Sequence, residues 1–166
     1  MNYTTLRLYK ENFKFSSAHF LIFDEKSAEK LHGHNYQVQI EIDVPDDESL
    51  GKLGFFIDFN EFKKYIRVKL EQWDEMVLLP AKHPDIRVTE NGPSLELRFR
   101  ERFYVFPKNE VCLLPILNTS VEQLSQLLAQ DFYQEFHVKW HVRGLQVSVE
   151  ETRGQAAVTF IGEPKR

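Results

Sequence analysis

A strict two-residue alternation over residues 32–44 is the feature that most constrains the fold of this chain. Each even position carries a histidine, an aromatic or an aliphatic side chain: His32, His34, Tyr36, Val38, Ile40, Ile42 and Val44. Such alternation predicts a β-strand with one face in the core. A preceding segment has the same periodicity at odd positions: Phe13, Phe15, Ser17 and His19. We therefore expect two strands, each with one apolar face.

Two later segments have the spacing of amphipathic helices. Residues 55–73 read FFIDFNEFKKYIRVKLEQW, in which Asp58 and Glu61 resemble a capping box. The apolar stripe of this segment is Phe59, Phe62, Ile66, Leu70 and Trp73. A second helix is predicted in NTSVEQLSQLLAQDFYQEF, residues 118–136, with Ser120 as its N-cap.

The remaining segments indicate an α+β fold. LELRFRERFYVF alternates and predicts an inserted hairpin near residues 86–106, and LQVSVEE and QAAVTF predict two closing strands. This order favours an antiparallel sheet with two helices packed on one face. At 166 residues without a linker-like segment, the chain is expected to form a single domain over 1–166.

Charge and cysteine content exclude several classes of function. The chain has 21 basic and 25 acidic side chains, a formal charge of -4, so no global field attracts it to nucleic acid or to an anionic membrane. One cysteine allows no internal disulfide framework and suits a reducing compartment. The chain begins MNYTTLRLYKENF, without the apolar run of a signal peptide, and has no membrane-length apolar stretch. We expect a cytoplasmic protein whose partners are small molecules or its own copies.

His32 and His34 are separated by one residue, so on a strand they project from one face with Cα atoms about 6.5–7 Å apart. Their imidazoles can then converge on one ion. His19 is in phase with the apolar face of the preceding strand, and pairing of the two strands would bring a third imidazole to the same point. Three neutral imidazoles with an open position are typical of a catalytic zinc site. The alternative is that one or more of them is a hydrogen-bonded core or surface residue.

Two glutamates are candidates for ligand binding. Glu151 ends a series of apolar same-face positions: Leu145, Val147 and Val149. A carboxylate there is costly unless it meets matched donors, which a ligand with adjacent N–H groups would supply. The alternative is that the strand ends earlier and Glu151 is solvated. Glu122 lies in the first turn of the second predicted helix, where an acidic residue most often complements the helix dipole.

Other polar residues are interpreted more simply. His137 and His141 have helical spacing for a metal but lack an acidic third ligand, so we interpret them as surface residues. Cys112 has no base near it in sequence and is typical of a small buried hydrophobe. Three arginines alternate on one face of the predicted hairpin and either face solvent or attract a phosphate: Arg98, Arg100 and Arg102.

Five motifs in order, FSSAH, HGHNY, FFIDFNEFK, NTSVEQL and VSVEET, resemble the 6-pyruvoyltetrahydropterin and 6-carboxytetrahydropterin synthase family over about residues 13–152. The resemblance implies the T-fold, in which small subunits assemble into oligomeric barrels, commonly hexamers made from two trimers. It implies that Zn²⁺ is held by three histidines: His19, His32 and His34. It also implies that Glu151 holds the pterin ring, with Ser120 and Glu122 of the helix-start motif as further pocket candidates.

The chain departs from the family pattern at two positions. Members that make the pyruvoyl product carry a catalytic cysteine four residues before the first histidine of HGH, and here that position is Ala28. The family's proton-relay Asp-His pair aligns with Asp74 and Glu75, so the relay histidine is absent. Both differences argue against the standard 6-pyruvoyl reaction.

Glu29 lies three residues before His32 in the pattern E-x-x-H-G-H. This resembles the subgroup in which a glutamate replaces the cysteine and the enzyme cleaves 7,8-dihydroneopterin triphosphate to 6-hydroxymethyl-7,8-dihydropterin, a folate precursor. The resemblance implies a zinc-dependent lyase with Glu29 as general base, aided in proton transfer by Asp74 and Glu75. Without the resemblance, Glu29 would be interpreted as an exposed residue of the charged loop DEKSAEK. The alternatives for the function are 6-pyruvoyl or 6-carboxy chemistry and a non-catalytic pterin-binding protein.

Overall fold

A computed structural model describes residues 4–45 and 50–163 of the chain. In chain order the elements of these ranges are β1 (Thr5–Leu8), β2 (Lys14–His19), β3 (His32–Asp43), α1 (Phe59–Glu71), β4 (Met76–Pro80), β5 (Ile86–Asn91), β6 (Ser94–Phe99), β7 (Arg102–Pro107), β8 (Val111–Leu114), α2 (Val121–Trp140), β9 (Gly144–Thr152) and β10 (Gln155–Gly162). The α+β class predicted from the sequence is confirmed.

Seven strands form one sheet in the order β10-β9-β3-β2-β4-β8, with β1 paired to the second half of β3. Most pairs are antiparallel, as predicted, but β4 joins β2 and β8 joins β4 in parallel. These two strands were not predicted, because short apolar runs such as MVLLP and VCLL have no periodicity that identifies a strand. The sheet is therefore mixed at this end.

The main core lies between the seven-stranded sheet and the two helices. β3 contributes its even positions Tyr36–Ile42, and the helices contribute their buried stripes: Phe62, Ile66 and Leu70 from α1, and Leu124, Leu128, Phe132 and Phe136 from α2. All belong to one apolar cluster, so both helices pack on the same face of the sheet. Burial of these faces is the main stabilising term of the fold.

Both helices begin at side-chain caps. Asp58 accepts a hydrogen bond from the Asn60 amide at 2.8 Å, and Ser120 accepts one from the Gln123 amide at 3.4 Å. α1 is shorter than the predicted 55–73, and Phe59 is 40 % exposed instead of lying in the core. Trp73 is buried beyond the helix end. The caps were readable from the sequence because they depend on local chemistry.

The inserted segment is a three-stranded antiparallel sheet, β5-β6-β7, where a two-stranded hairpin was predicted. Its apolar face builds a second core with the loop that follows β2 and with Leu79 of β4: Phe20, Ile22, Leu79, Ile86, Leu95, Leu97 and Phe99. The insertion is thus attached to the segment between β2 and β3 by packed side chains.

Within the ranges that the structure describes, neither helix is long and apolar enough to cross a membrane.

The ring of Phe136 is fully buried and lies where α2 meets α1, with its centroid 5.0 Å from that of Phe62. Phe136→Ala should remove this contact. Such truncations cost about 3–5 kcal/mol, and we expect the free energy of unfolding in urea to fall by that amount. Val138→Ala is the matched control on the same helix, since Val138 is 72 % exposed; it should change the free energy by less than about 0.5 kcal/mol. Equal losses for the two variants would contradict the packing described.

Candidate metal centre and its carboxylates

The register between β2 and β3 brings three histidines together. His19 lies directly opposite His32, and Ser17 lies opposite His34. Because same-face residues of neighbouring strands project together, all three imidazoles meet at one end of this strand pair. One ring nitrogen from each lies within 4.8 Å of the others, and the Nε2 atoms of His32 and His34 are 2.8 Å apart. The strand phase in the sequence predicted this convergence.

Backbone carbonyls orient two of these rings. The Nδ1 of His19 lies 3.0 Å from the Thr119 carbonyl oxygen, and the Nδ1 of His32 lies 2.7 Å from the Lys30 carbonyl oxygen. A carbonyl only accepts, so each Nδ1 carries a proton and donates it, and it is the Nε2 of each ring that faces the cluster. Metal-binding histidines are typically oriented in this way.

Burial keeps the His19 ring neutral. The side chain is fully buried, and desolvation lowers the pKa of His19 below its usual value, against the opposing effects of the Thr119 carbonyl and Glu151. Its Nε2 has no hydrogen-bond partner among the described residues, although it lies 3.1 Å from the Glu151 carboxylate. That contact is not an ion pair, because a neutral ring with its proton on Nδ1 presents a lone pair to the carboxylate oxygen.

This donor set fits a metal ion. A cation between the nitrogens would give the orphaned Nε2 of His19 a partner. Three neutral imidazoles, each able to offer one nitrogen, are a donor set that Zn²⁺ and similar divalent ions accept. The cluster of His19, His32 and His34 could therefore hold a metal ion.

Glu29 reaches the histidine cluster from the loop between β2 and β3. Its Oε2 lies 3.7 Å from Nε2 of His32 and accepts a hydrogen bond from the Leu21 amide at 3.0 Å. The Glu29 amide in turn donates to the Leu21 carbonyl at 2.8 Å. The Leu21 amide thus holds the carboxylate in place. Because about 30 % of the side chain is exposed, the carboxylate is still accessible to a ligand.

Glu151 reaches the same cluster from β9. Thr152 and Glu150 pair with the consecutive residues Gln155 and Ala156 of β10, so Glu151 is the extra residue of a β-bulge. Bulges re-aim side chains and are frequent beside active sites. Here the bulge accompanies a carboxylate whose Oε1 lies 3.1 Å from Nε2 of His19 and 3.6 Å from Nε2 of His34.

The hydroxyl of Tyr36 donates to Oε1 of Glu151 at 3.2 Å and was not singled out from the sequence. Burial of the ring, then the neighbouring carboxylate, raises the pKa of Tyr36, so the hydroxyl stays protonated and remains a donor. The signal was present, because Tyr36 continues the same-face series of His32 and His34. Tyr36 therefore belongs to the site.

Asp74 and Glu75 lie beside Ser16, away from the point where the three imidazoles meet. Asp74 accepts a hydrogen bond from the Ser16 amide at 2.7 Å, and the Glu75 amide donates to the Ser16 carbonyl at 2.7 Å. Ser16 precedes His19 by three residues, about 10 Å along the strand. Glu75 lines a crevice of about 370 Å³ that also includes His34. Within the described residues no hydrogen bond or ion pair links either carboxylate to the three histidines.

The start of α2 contributes its backbone to the site. Ser120 uses its hydroxyl to cap the helix, and the carbonyl of Glu122 accepts from Ser125 at 2.9 Å. The segment before them was not predicted to matter: Thr119 orients His19 and donates its hydroxyl to the Phe20 carbonyl, and Asn118 bonds both backbone groups of Ile22. The contact with His19 is made by a main-chain carbonyl, which leaves no signal in side-chain patterns.

Two other candidates are accounted for by their surroundings. The Nδ1 of His137 lies 2.9 Å from the Val142 carbonyl, where it donates to the segment between α2 and β9. Cys112 is half-buried in β8, and burial raises the pKa of its thiol, so it is not an activated nucleophile.

Comparison with solved structures places this fold among known proteins. The 6-pyruvoyl tetrahydropterin synthase of Plasmodium vivax superposes with a TM-score of 0.87 over 98% of this chain and 100% of that chain, at 24% identity. A variant of that enzyme with a catalytic glutamate replaced by alanine gives a TM-score of 0.88 at the same identity and coverage. The T-fold expectation is thereby confirmed for the fold of the single chain.

Sequence comparison shows the relationship independently. A protein of Methanocaldococcus jannaschii, provisionally named 6-carboxy-5,6,7,8-tetrahydropterin synthase, is 27% identical over 150 residues, covering 87% of each chain. The sequence profile of the family described as 6-pyruvoyl tetrahydropterin synthase matches residues 7–161, a span that includes all three histidines, Glu29 and Glu151. This chain belongs to the 6-pyruvoyl tetrahydropterin synthase family.

Proposed function

We propose that this protein is a zinc-dependent lyase that acts on 7,8-dihydroneopterin triphosphate and cleaves its side chain to 6-hydroxymethyl-7,8-dihydropterin. The observation that carries the proposal is the Glu29 carboxylate, 3.7 Å from His32 of a three-histidine cluster. Ala28 stands where family members that make the pyruvoyl product carry a thiol. Glu151 lies closer to the histidines, 3.1 Å from Nε2 of His19, but we assign it to the pterin ring, so Glu29 is the accessible carboxylate that remains as the base.

The Plasmodium vivax structures support a base of this type. In one of them a glutamate described as catalytic is replaced by alanine, and the chain superposes on this one with a TM-score of 0.88. A glutamate thus takes part in catalysis in a protein of the same fold. Glu29, the glutamate beside the histidine cluster here, is the residue to which we assign that part.

In this proposal His19, His32 and His34 bind Zn²⁺ through Nε2, and the Thr119 and Lys30 carbonyls keep the first two rings oriented. When bound, the ion would stabilise negative charge on the hydroxyl oxygens of the substrate side chain. Three protein ligands would leave the ion able to accept a hydroxyl oxygen of the substrate side chain.

Glu29 acts as the general base of a retro-aldol cleavage. It accepts the proton of the hydroxyl on the second side-chain carbon, and that carbon becomes an aldehyde as its bond to the first carbon breaks. The bonding electrons pass into the pterin ring system. The first carbon then takes up a proton, and the products are 6-hydroxymethyl-7,8-dihydropterin and a triphosphorylated two-carbon aldehyde. The reaction needs no oxidant or reductant.

Glu151 anchors the pterin ring. A carboxylate can accept two hydrogen bonds from the adjacent N–H groups of the guanidine-like edge of a pterin. Oε1 of Glu151 is oriented by Tyr36, and Oε2 has no hydrogen-bond partner among the described residues, so it is available to a ligand. Ser120 and Glu122, at the start of α2, are proposed as further parts of the pterin pocket.

Asp74 and Glu75 are proposed to assist proton transfer. The crevice that Glu75 shares with His34 supports this role, although Asp74 is engaged by the Ser16 amide. Because both carboxylates lie along β2 from the histidines, a direct part in the reaction requires a rearrangement or a neighbouring subunit.

We propose that the protein forms a homo-oligomeric barrel based on trimers. In the described part of the seven-stranded sheet, β8 and β10 are the outer strands, and each leaves one edge unpaired. Val158 and Phe160 of β10 and Leu113 of β8 are 40 % or more exposed. Open edges with apolar side chains favour association, since pairing between copies would satisfy both.

A second function, 6-carboxytetrahydropterin synthesis, is favoured by the name of the Methanocaldococcus jannaschii relative. The same three histidines and Glu151 would serve that reaction. It differs from the lyase in the product that leaves the enzyme, so product analysis decides between them.

Glu29→Gln should lower kcat by about 10²–10⁴-fold, because the amide cannot accept the hydroxyl proton. To measure kcat, zinc-loaded protein is incubated with 7,8-dihydroneopterin triphosphate, and the products are quantified by mass spectrometry. Glu25→Gln, in the exposed turn of the same loop, is the matched control and should leave turnover unchanged. Wild-type turnover in Glu29→Gln would contradict the base assignment, and a carboxy or pyruvoyl product would favour the other reactions of the family.

His34→Ala should weaken zinc binding by more than about 100-fold, since loss of a ligand exceeds the 10–100-fold effect typical of outer contacts. Competition with a chromophoric chelator measures the affinity, and the bound zinc is counted by elemental analysis. His141→Ala, at the end of α2, should bind zinc as the wild type does. Unchanged affinity in His34→Ala would exclude the three-histidine site.

Glu151→Gln should weaken pterin binding by about 10–100-fold, because hydrogen bonds to a charged acceptor contribute about 1.5–3 kcal/mol. Calorimetric titration with the substrate in the Glu29→Gln background avoids turnover during the measurement. Glu150→Gln is the matched control, because Glu150 faces the other side of β9 and accepts from the Gly154 amide at 2.6 Å. Equal affinities for Glu151→Gln and its control would remove Glu151 from the pocket.

A further inference from the structure

We infer that Arg102, on the inserted sheet, is a positioning residue that holds the backbone of Glu29 and so fixes its carboxylate beside the histidine cluster. The catalytic part of this inference rests on the proposed function, in which Glu29 is the base. The structural part concerns the segment of residues 20–31, here called the Glu29 loop.

Within the Glu29 loop, residues 21–22 bind residues 28–29 through hydrogen bonds. Ile22 and Ala28 form an isolated bridge, and the amide of Glu29 donates to the Leu21 carbonyl at 2.8 Å. The Leu21 amide donates to the Glu29 side chain at 3.0 Å. These contacts engage the amide of residue 29 and its side chain, and they leave its carbonyl to be bound from elsewhere.

Arg102 binds the carbonyl side of the loop. Its guanidinium donates from Nη1 to the Glu29 carbonyl and from Nη2 to the Ala28 carbonyl, the latter at 3.1 Å. Two donors of one planar group thus bind two consecutive carbonyls, an arrangement that suits the fixed fork of a guanidinium better than the compact ammonium of a lysine. The guanidinium carbon also lies 5.6 Å from the Phe99 ring centroid and 6.0 Å from that of Phe20.

Arg100 binds the tip of the same loop. It donates from Nη2 to the Asp24 carbonyl at 2.6 Å and from Nε to the Asp85 carboxylate at 2.8 Å. Arg100 and Glu101 form the two-residue turn between β6 and β7, and Arg100 has a φ of 56°. The alternation in the sequence predicted that three arginines share one face of the hairpin. Because the turn interrupts the alternation, Arg100 and Arg102 instead bind the Glu29 loop.

Apolar packing joins the inserted sheet to the same loop. Phe20, the residue after His19, lies 5.2 Å from Phe99 and 6.2 Å from Tyr104, measured between ring centroids. Ala28 and Leu31 pack against the same cluster. The sheet is therefore a rigid support for the loop, and Arg102 is its polar contact next to Glu29.

Arg98 provides a matched control on the same sheet. Its side chain is exposed, and its guanidinium lies 4.5 Å from the Phe103 ring centroid. In the described ranges Arg98 makes no hydrogen bond to the Glu29 loop. Arg98→Met and Arg102→Met remove the same charge from neighbouring strands, and only the second removes the contact with the loop.

Hydrogen exchange followed by mass spectrometry tests the structural part without any substrate. In zinc-loaded protein, Arg102→Met should exchange faster than the wild type in peptides covering residues 20–31, with no change in peptides from β9. Arg98→Met should match the wild type, and Arg102→Lys should lie between. Unchanged exchange of the loop in Arg102→Met would overturn the inference.

Kinetics test whether holding the loop positions the base. Arg102→Met should lower kcat by about 10- to 100-fold, the size expected for a small displacement of a catalytic group, with little change in KM or zinc content. In the Glu29→Gln background, where residual product is measured over hours, the same substitution should have no further effect on kcat, because a positioning residue acts only through the group that it positions. An undiminished kcat in Arg102→Met, or an equal loss in both backgrounds, would overturn the positioning role.

The two proposals fail in different ways. If wild-type protein converts no pterin substrate, the proposed function is wrong, and hydrogen exchange still decides whether Arg102 holds the loop. If the wild type is active, Glu29→Gln is inactive and Arg102→Met is unimpaired, the proposed function stands and the further inference is wrong.

Discussion

The register of β2 against β3 is the constraint on which the rest of the site depends. It is fixed by the apolar faces of the two strands, because Phe15 stacks on Tyr36 with ring centroids 4.7 Å apart and both are buried against the helices. A slip of one residue would turn every side chain of a strand to the other face. The burial that stabilises the sheet therefore also places His19 opposite His32.

Polar groups buried at this end of the sheet link the site to the second helix. His19 is fully buried, so its Nδ1 proton needs an acceptor, which the segment before α2 supplies through the Thr119 carbonyl. Thr119 is itself buried and bonds the backbone of Phe20. The start of α2, the end of β2 and the histidine cluster are thus connected through main-chain groups, and the orientation of His19 depends on where the helix begins.

The inserted sheet connects the periphery of the fold to the site. Its second core includes Phe20, which directly follows His19, and its arginines bind the carbonyls of the loop that carries Glu29. A loop that must present an accessible carboxylate cannot be fully buried in the main core. Support from a small separate sheet lets the loop keep one side open to a ligand while its backbone is held.

Patterns in the sequence determined the elements with regular, one-sided burial: β3 and β2 by period two, α1 and α2 by helical spacing, and the caps Asp58 and Ser120 by local hydrogen bonding. They also identified the three histidines and Glu151, because such residues stand out on apolar faces; Glu29 was recognised only through the family resemblance, and Tyr36 was missed. Only the tertiary structure decided the parallel pairing of β4 and β8, the third strand of the insertion, and the contacts of Thr119 and Arg102. These depend on which segments meet across long sequence separations and on carbonyl groups that every residue carries, so neither leaves a periodic signal in the order of side chains.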